Sequence, residues 1–207
     1  MTVEVLNHPL INILMTNLRS QETSSSEFRH TAKKISSLMA YEIFKDLKIE
    51  RKKINTPLES YVGIKAQNPK PCVISILRAG LIISEGITDI FDKVSIGHIG
   101  MYRNEKTLSP VNYLIKLPSN LQNRQCFLCD PMLATGGSAM SSLETLKKNN
   151  ASVITLVCLL ASDKGIRNVK EKFSDVKIIC AQKDDKLNEK GFIVPGLGDA
   201  GDRIFDT

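Results

Sequence analysis

The sequence predicts an α/β protein, a mainly parallel sheet flanked by helices, with N-terminal helices ahead of it and a projecting β-hairpin arm. Three observations carry that reading. The run Cys72-Val73-Ile74-Ser75-Ile76-Leu77 is apolar almost throughout, as in a strand covered on both faces. Strand-like runs and helix-like stripes then alternate to about residue 181, the pattern of a doubly wound sheet whose ligands lie at the carboxyl ends of its strands. The stretch from about 100 to 118 breaks this rhythm with turn residues ahead of a strand-like alternation, which suits a hairpin.

Pro9 opens the first helix, and Leu10, Ile11, Leu14 and Leu18 share a face. Gln21 to Ser26 is a polar break whose serines can cap the second helix. That helix carries Phe28, Ala32, Ile35, Met39 and Ile43 at alternating four- and three-residue spacing, a core-facing stripe, with Leu38 beside it. Residues 1–50 are read as these helices. Asn55 to Lys65, broken by Pro57, reads as short paired strands, and Pro69 and Pro71 mark a loop. After the strand at 72–77, Arg78-Ala79-Gly80 leads into a helix from Leu81 to about Phe91. Val94 to Ile99 is a strand, Lys106 to Pro110 the turn of the arm, and Val111 to Leu117 its alternating return. Cys126 to Cys129 is a strand that runs through Asp130 into a loop and a helix from about Ser138 to Lys148. Val153 to Leu160 is a strand, Gly165 to Phe173 a helix, and Val176 to Ala181 the closing strand. Residues 182–207 form a C-terminal loop, and the 207 residues together suit one domain.

Composition narrows the classes of function. Lys and Arg total 28 against 22 Asp and Glu, a net charge of +6. The basic residues form no tract: Lys33-Lys34, Arg51-Lys52-Lys53 and Lys147-Lys148 lie in separate segments near acids, unlike the clustered face of a nucleic-acid binder. With no Trp and 5% aromatic residues, stacking platforms for single strands are scarce. A small polyanionic substrate accounts for the excess equally well. The longest apolar run, Val153 to Ala161, is too short to cross a bilayer, and Met1 to Leu10 carries Glu4 without the order of a secretory leader. Five cysteines without framework spacing suit reduced thiols in the cytoplasm.

Two literal motifs carry no chemistry. Cys126-x-x-Cys129 lies in a strand, which sends its two thiols to opposite faces, whereas redox and metal pairs sit at helix starts or knuckles. Gly196 to Gly201 spells G-x-G-x-x-G, yet only six residues remain after it, too few for the helix and ribose-binding acid of a dinucleotide site. Those glycines still imply a closely approached backbone, with Asp199, Asp202 and Arg203 beside it. His98, within a strand, reads as a packed structural histidine rather than a general base. The strongest signal is Asp130-Pro131-Met132-Leu133-Ala134-Thr135-Gly136-Gly137-Ser138. A buried strand delivers a carboxylate, and Thr-Gly-Gly-Ser opens a helix where converging N–H groups, two hydroxyls and the helix dipole suit a phosphate monoester. No Lys comes after the glycines, which excludes a Walker loop. A carboxylate that accepts two neighbouring hydroxyls, next to a phosphate cradle, describes a ribose 5-phosphate.

Asp130 to Ser138 resembles the phosphoribosyl-diphosphate (PRPP) loop of the type I phosphoribosyltransferases, in the form found in their uracil-specific family. Ile76 to Gly80, Gly97 to Arg103, Lys116 to Pro118 and Asn188 to Arg203 resemble the same family in the same order, as do His8-Pro9-Leu10 and Glu27-Phe28-Arg29. The resemblance implies the type I fold and transfer of the phosphoribosyl group of PRPP to uracil, giving UMP and pyrophosphate in pyrimidine salvage. It implies PRPP contacts from Arg78, Arg103 and Asp130, from the loop residues Pro131, Met132, Leu133, Ala134, Thr135, Gly136, Gly137 and Ser138, and from Asp199. It assigns uracil to Ile193, Gly198, Asp199 and Ala200. Asp199, Asp130 and Arg103 are the implied catalytic groups, Asp199 orienting or deprotonating the base. Mg²⁺ is expected to ride on the diphosphate without direct protein ligands. GTP activation and a homo-oligomer, a dimer or tetramer for which the arm supplies apolar surface, are further expectations.

The chain departs from the family in places. Where the wider family often places a second acid, this chain has Pro131, so one ribose contact must come from elsewhere, with Asp199 the candidate. Ile82-Ile83-Ser84 is bulkier than the Gly-containing form, Phe44-Lys45 replaces a Thr-Arg pair, and Asn104 stands where Asp is common; these bear on regulation more than on the reaction. Two alternatives are a phosphoribosyltransferase for another base and an RNA-binding pyrimidine regulator on the same fold. Orotate would call for a cation that Ile193 to Ala200 lacks, and a regulator would need a coherent basic face.

Overall fold

The computed structural model describes residues 2–103 and 110–207, with the side chains of Arg103 and Pro110 outside the description. The expected turn at 106–110, apart from the Pro110 backbone, and Asn104 lie outside the described residues.

The chain begins with β1 (Val3–Val5), α1 (Pro9–Arg19) and α2 (Ser25–Ile43). The stripe on α2 packs as expected, with Phe28, Ala32, Ile35, Met39 and Ile43 all buried. Ser24 caps it in a reciprocal box: its hydroxyl accepts the Glu27 N–H while the Glu27 carboxylate accepts the Ser24 N–H. The face of α1 is turned slightly from the expected one. Ile11, Met15 and Leu18 are buried and Leu10 is 44% exposed, because the four-and-three spacing that meets the core starts one residue later. The N-terminal region is also not purely helical, since β1 lies parallel to a later strand at the sheet edge and a further strand starts at Ile49.

That strand, β2 (Ile49–Asn55), pairs with β3 (Ser60–Ala66) as an antiparallel hairpin outside the main sheet. The main sheet holds β4 (Cys72–Leu77), β5 (Ser95–Arg103), β6 (Pro110–Lys116), β7 (Gln125–Cys129), β8 (Met132–Leu133), β9 (Val153–Ser162) and β10 (Lys177–Asp184), with helices α3 (Leu81–Ile90), α4 (Gly137–Lys148) and α5 (Asp163–Lys172) between strands. Its order is β1-β10-β9-β7-β4-β5-β6, with β8 beside β9, and every pair is parallel except β5 with β6. The expected antiparallel hairpin is present: β5 and β6 pair at the edge of the main sheet, and their pairing from Met101 to Arg103 runs beyond β4, whose last partner on β5 is Gly100. The paired strands expected at 55–65 form a second hairpin, β2–β3, which stands apart from the main sheet. A local alternation is the same whether a hairpin stands free or extends a sheet; the deciding partner, β4 beside β5, is not local.

Helices α1, α2 and α3 cover one face of the sheet, and α4 and α5 the other. Cys129 belongs to the first layer and Cys126 to the second, so the two thiols do face apart. The chain ends with a small ribbon, β11 (Lys186–Leu187) with β12 (Ile193–Val194), and α6 (Ala200–Phe205). The glycine-rich stretch therefore does open a helix, contrary to expectation, but one of only six residues, held by its own cap.

Candidate active site

Strand order reverses between β4 and β7: the chain moves outward from β4 through β5 to β6, then returns to β7 on the other side of β4. Helices α3 and α4 leave toward opposite faces there, which opens a crevice at the carboxyl ends of these two strands. A cavity of about 620 Å³ occupies it.

From β4 the chain brings Leu77, Arg78 and Ala79 to the cavity wall, with the Leu77–Arg78 peptide cis. The Arg78 guanidinium lies over the Phe205 ring of α6, 4.8 Å from its centre, which holds the charge at the rim. From β7 comes Asp130. Its N–H donates to the Val157 carbonyl at 3.0 Å, and the Pro131 carbonyl accepts the Leu159 and Leu160 N–H groups at 3.0 Å, so β9 fixes the start of the loop. Desolvation pushes the Asp130 carboxyl up to about 7, opposed by a hydrogen bond from the Met132 N–H.

The rest of the loop wraps toward α4. Asn168 of α5 donates to the Thr135 carbonyl at 2.9 Å and Ser162 donates to the Ala134 carbonyl, so α5 supports the loop from behind. Gly136 stands at the N-cap of α4 with φ +85, a conformation that glycine adopts without strain, and brings no side-chain cap; the Thr135 hydroxyl accepts the Gly137 N–H only at a long 3.5 Å. Gly137, Ser138 and Ala139 line the cavity at that start, where first-turn N–H groups and the positive end of the dipole suit an anion.

Most of the expected residues converge. Arg78, Asp130, Pro131, Met132 and Ala134 line the cavity, followed by Thr135, Gly136, Gly137 and Ser138. Ile193, Gly198, Asp199 and Ala200 form the opposite wall. Leu133 does not join them: β8 pairs with β9, and its side chain is 1% exposed in the core. Arg103 ends β5, and its side chain is not among those described. Asp199 faces the cavity but also caps α6, its Oδ1 accepting the Gly201 N–H at 2.8 Å and the Asp202 N–H at 3.1 Å. His98 does not line the cavity; it sits half-buried in β5, its Nδ1 without a hydrogen-bond partner among the described residues. Sequence reasoning missed Tyr102, Lys190 and Phe192, which all line the cavity. Lys190 and Phe192 lie inside the Asn188 to Arg203 stretch, whose order of residues was the available signal.

Among the described residues no three His, Cys, Asp or Glu side chains gather as a metal cage, and no helix is long and apolar enough to cross a membrane. A hydrated divalent ion carried on a diphosphate fits the groups present: three carboxylates, Asp130, Asp199 and Asp202, line the cavity beside the cations Arg78 and Lys190 and the hydroxyls of Thr135 and Ser138.

Comparison with known proteins agrees with this geometry. A family model described as uracil phosphoribosyltransferase matches residues 5–207. The chain is 46% identical over 205 residues to a protein of Streptococcus pneumoniae serotype 4 named uracil phosphoribosyltransferase, covering 99% of this chain and 98% of that one. A protein of the same name from Streptococcus pyogenes serotype M5 is 47% identical over 204 residues, with the same coverage of 99% and 98%. Among solved structures, the AQ2163 protein from Aquifex aeolicus superposes with a TM-score of 0.93 at 34% identity, covering 99% of this chain and 98% of that one. The adenine phosphoribosyltransferase from Leishmania donovani, at 16% identity and a TM-score of 0.58 over 91% of this chain and 86% of that one, shares the fold. With a glycine-led helix start and a strand-end carboxylate at the sheet's switch point, and with a family model and relatives matched over nearly the whole chain, the protein belongs to the uracil phosphoribosyltransferase family.

Proposed function

We propose that this cavity transfers the 5-phosphoribosyl group of PRPP to uracil, releasing pyrophosphate and forming UMP. The observation that carries the reading is the joining of a glycine-led helix start, a strand-end carboxylate and a wall of backbone groups around one cavity. The first suits a 5-phosphate, the second the ribose diol, and the third a base that presents alternating carbonyl and N–H groups.

The difficulty of the reaction is charge. C1 of the ribose becomes cationic while the departing pyrophosphate gains negative charge, so catalysis rests on position and fixed electrostatics. Thr135 to Ser138 hold the 5-phosphate and Asp130 the ribose hydroxyls. Arg78 and Arg103 meet the pyrophosphate, each charge-assisted bond worth about 1.5–3 kcal/mol. Ile193, Gly198 and Ala200 read uracil with backbone groups. Asp199 holds the base on the PRPP side, its capping of α6 fixing where the carboxylate stands. Mg²⁺ on the diphosphate would neutralise its charge and assist departure.

We place the whole reaction in a single domain and the protein in the cytoplasm, where its five free, buried thiols stay reduced. A homo-oligomer is supported by the apolar surface of the β2–β3 hairpin, where Leu58, Val62 and Ile64 are 95%, 56% and 69% exposed. The family resemblance supports GTP as an activator; a rise in turnover on adding GTP at subsaturating PRPP tests it.

Incubation with PRPP, Mg²⁺ and radiolabelled uracil is the direct test. UMP and pyrophosphate are the expected products; turnover of hypoxanthine or orotate without uracil would overturn the assignment.

A further inference from the structure

The backbone wall that faces the base is held from behind by arginines that do not line the cavity. Ile193 precedes and Gly198 follows a tight turn through Pro195, Gly196 and Leu197. Gly196 has φ +65, and a Cβ there would lie 2.0 Å from the Ile193 carbonyl oxygen, so only glycine closes this turn. Arg19, at the end of α1, donates from Nη1 to the Gly196 carbonyl at 2.8 Å and to Asp184 Oδ2 at 2.7 Å. Asp184 Oδ2 also accepts the Gly196 N–H at 2.9 Å. Nη2 of the same guanidinium donates to Asp184 Oδ1 and Gln182 Oε1, both at 2.9 Å, and Nε to Gln182 Oε1 at 3.1 Å. Arg203 grips the next residue, donating from Nη1 to the Leu197 carbonyl at 2.8 Å and to the Leu18 carbonyl at 2.7 Å. Two successive carbonyls of the turn are thereby tied to the end of α1.

We propose that Arg19 and Asp184 are positioning residues for uracil: their bidentate pair clamps both peptide groups of Gly196 and sets the spacing at which Ile193 and the Gly198 to Ala200 edge meet the base. The proposal rests on the uracil reading of that wall. A backbone group has no side chain of its own to adjust its position, so its fit depends on what holds the chain. The pair has the geometry that matters: a forked guanidinium on a carboxylate, with side chains 22% and 9% exposed and further bonds on both partners. The PRPP loop hangs on β9 and α5 instead, and Asp199 is fixed by its own capping of α6, so loss of the clamp should be felt by the base and little by PRPP.

Asp184→Asn and Arg19→Gln, singly and together, are compared with wild type in saturation kinetics and thermal melts. The clamp predicts that KM for uracil rises at least tenfold in each while KM for PRPP stays within twofold, and that the double variant is no worse than the weaker single one, since both act through one device. In Arg19→Ala, millimolar guanidinium should restore part of the uracil KM alone. Folded variants whose two KM values stay unchanged or rise together, or whose effects multiply in the double variant, overturn the proposal. If Arg19→Gln does not fold, the near-isosteric Asp184→Asn decides it on the same criteria. Wild type that fails to use uracil removes the reading beneath; wild type that uses it beside unaffected variants removes the clamp alone.

Discussion

Asp130 shows how a single side chain is set between stability and function. Its carboxyl is pushed up to about 7 by desolvation at the end of β7. A carboxyl in the unfolded chain titrates near ~3.9, so folding favours the protonated form. The stability from this group is therefore present at low pH and is lost as pH rises through about 7. The ribose contact proposed for it has the opposite sense, because only the carboxylate would accept both hydroxyls without donating. Asp130→Asn should melt higher than wild type at pH 8, with the gap narrowing as pH falls below about 7 and closing only at about pH 4, where the unfolded carboxyl is protonated too. Its kcat/KM for PRPP should fall about 10- to 100-fold, the loss of one charge-assisted acceptor, and the wild-type kcat/KM for PRPP should decline below pH 7. A wild type more stable than the variant at pH 8 would contradict the desolvated site. At this scale the sequence was legible where a residue's place follows from its own chemistry, as for Asp130 at a strand end on the cavity wall or Gly136 at the start of α4. It was not legible for Leu133, whose place in the loop implies a contact but whose side chain turns into the core once β8 pairs with β9.

Elements were readable in proportion to how much of their environment is local. β4 lies where the sequence put it, at Cys72–Leu77, because a central parallel strand is apolar on both faces and ends at turn residues. α2 declared itself through its stripe and its serines. β1 did not, since three residues at a sheet edge carry no period and owe their conformation to β10, more than 170 positions later. The capping box of α2 offers an element-scale check. Ser24→Ala leaves the Glu27 N–H without its acceptor and should cost about 1 kcal/mol of unfolding free energy in urea titration. No residue of α2 lines the cavity, so kcat/KM for both substrates should stay within twofold. A larger kinetic loss with little destabilisation would show that the helix start reaches the site through α6, against which α2 packs.

At the scale of the molecule, the β2–β3 hairpin leaves an apolar face uncovered. Residues paired across a hairpin share a face, so Val62 and Ile64, opposite Lys53 and Arg51, lie together with Ile49 on one side of β2–β3. All three aliphatic residues are more than half exposed, at 54%, 56% and 69% for Ile49, Val62 and Ile64. A two-stranded ribbon has too little core of its own to hold that surface against water, and a free apolar face of this kind calls for a covering partner. A second copy of the chain would supply one at equal concentration, and under closed symmetry each hairpin would serve both copies. Light scattering of the purified protein should give at least twice the 23.0 kDa chain mass. Val62→Lys with Ile64→Lys places two charges in that face and should return the mass to 23.0 kDa, with a lower melting temperature that no longer depends on protein concentration. Wild type that scatters as a single chain at micromolar concentration would mean that the hairpin is soluble uncovered, and that the assembly belongs to another surface or does not form.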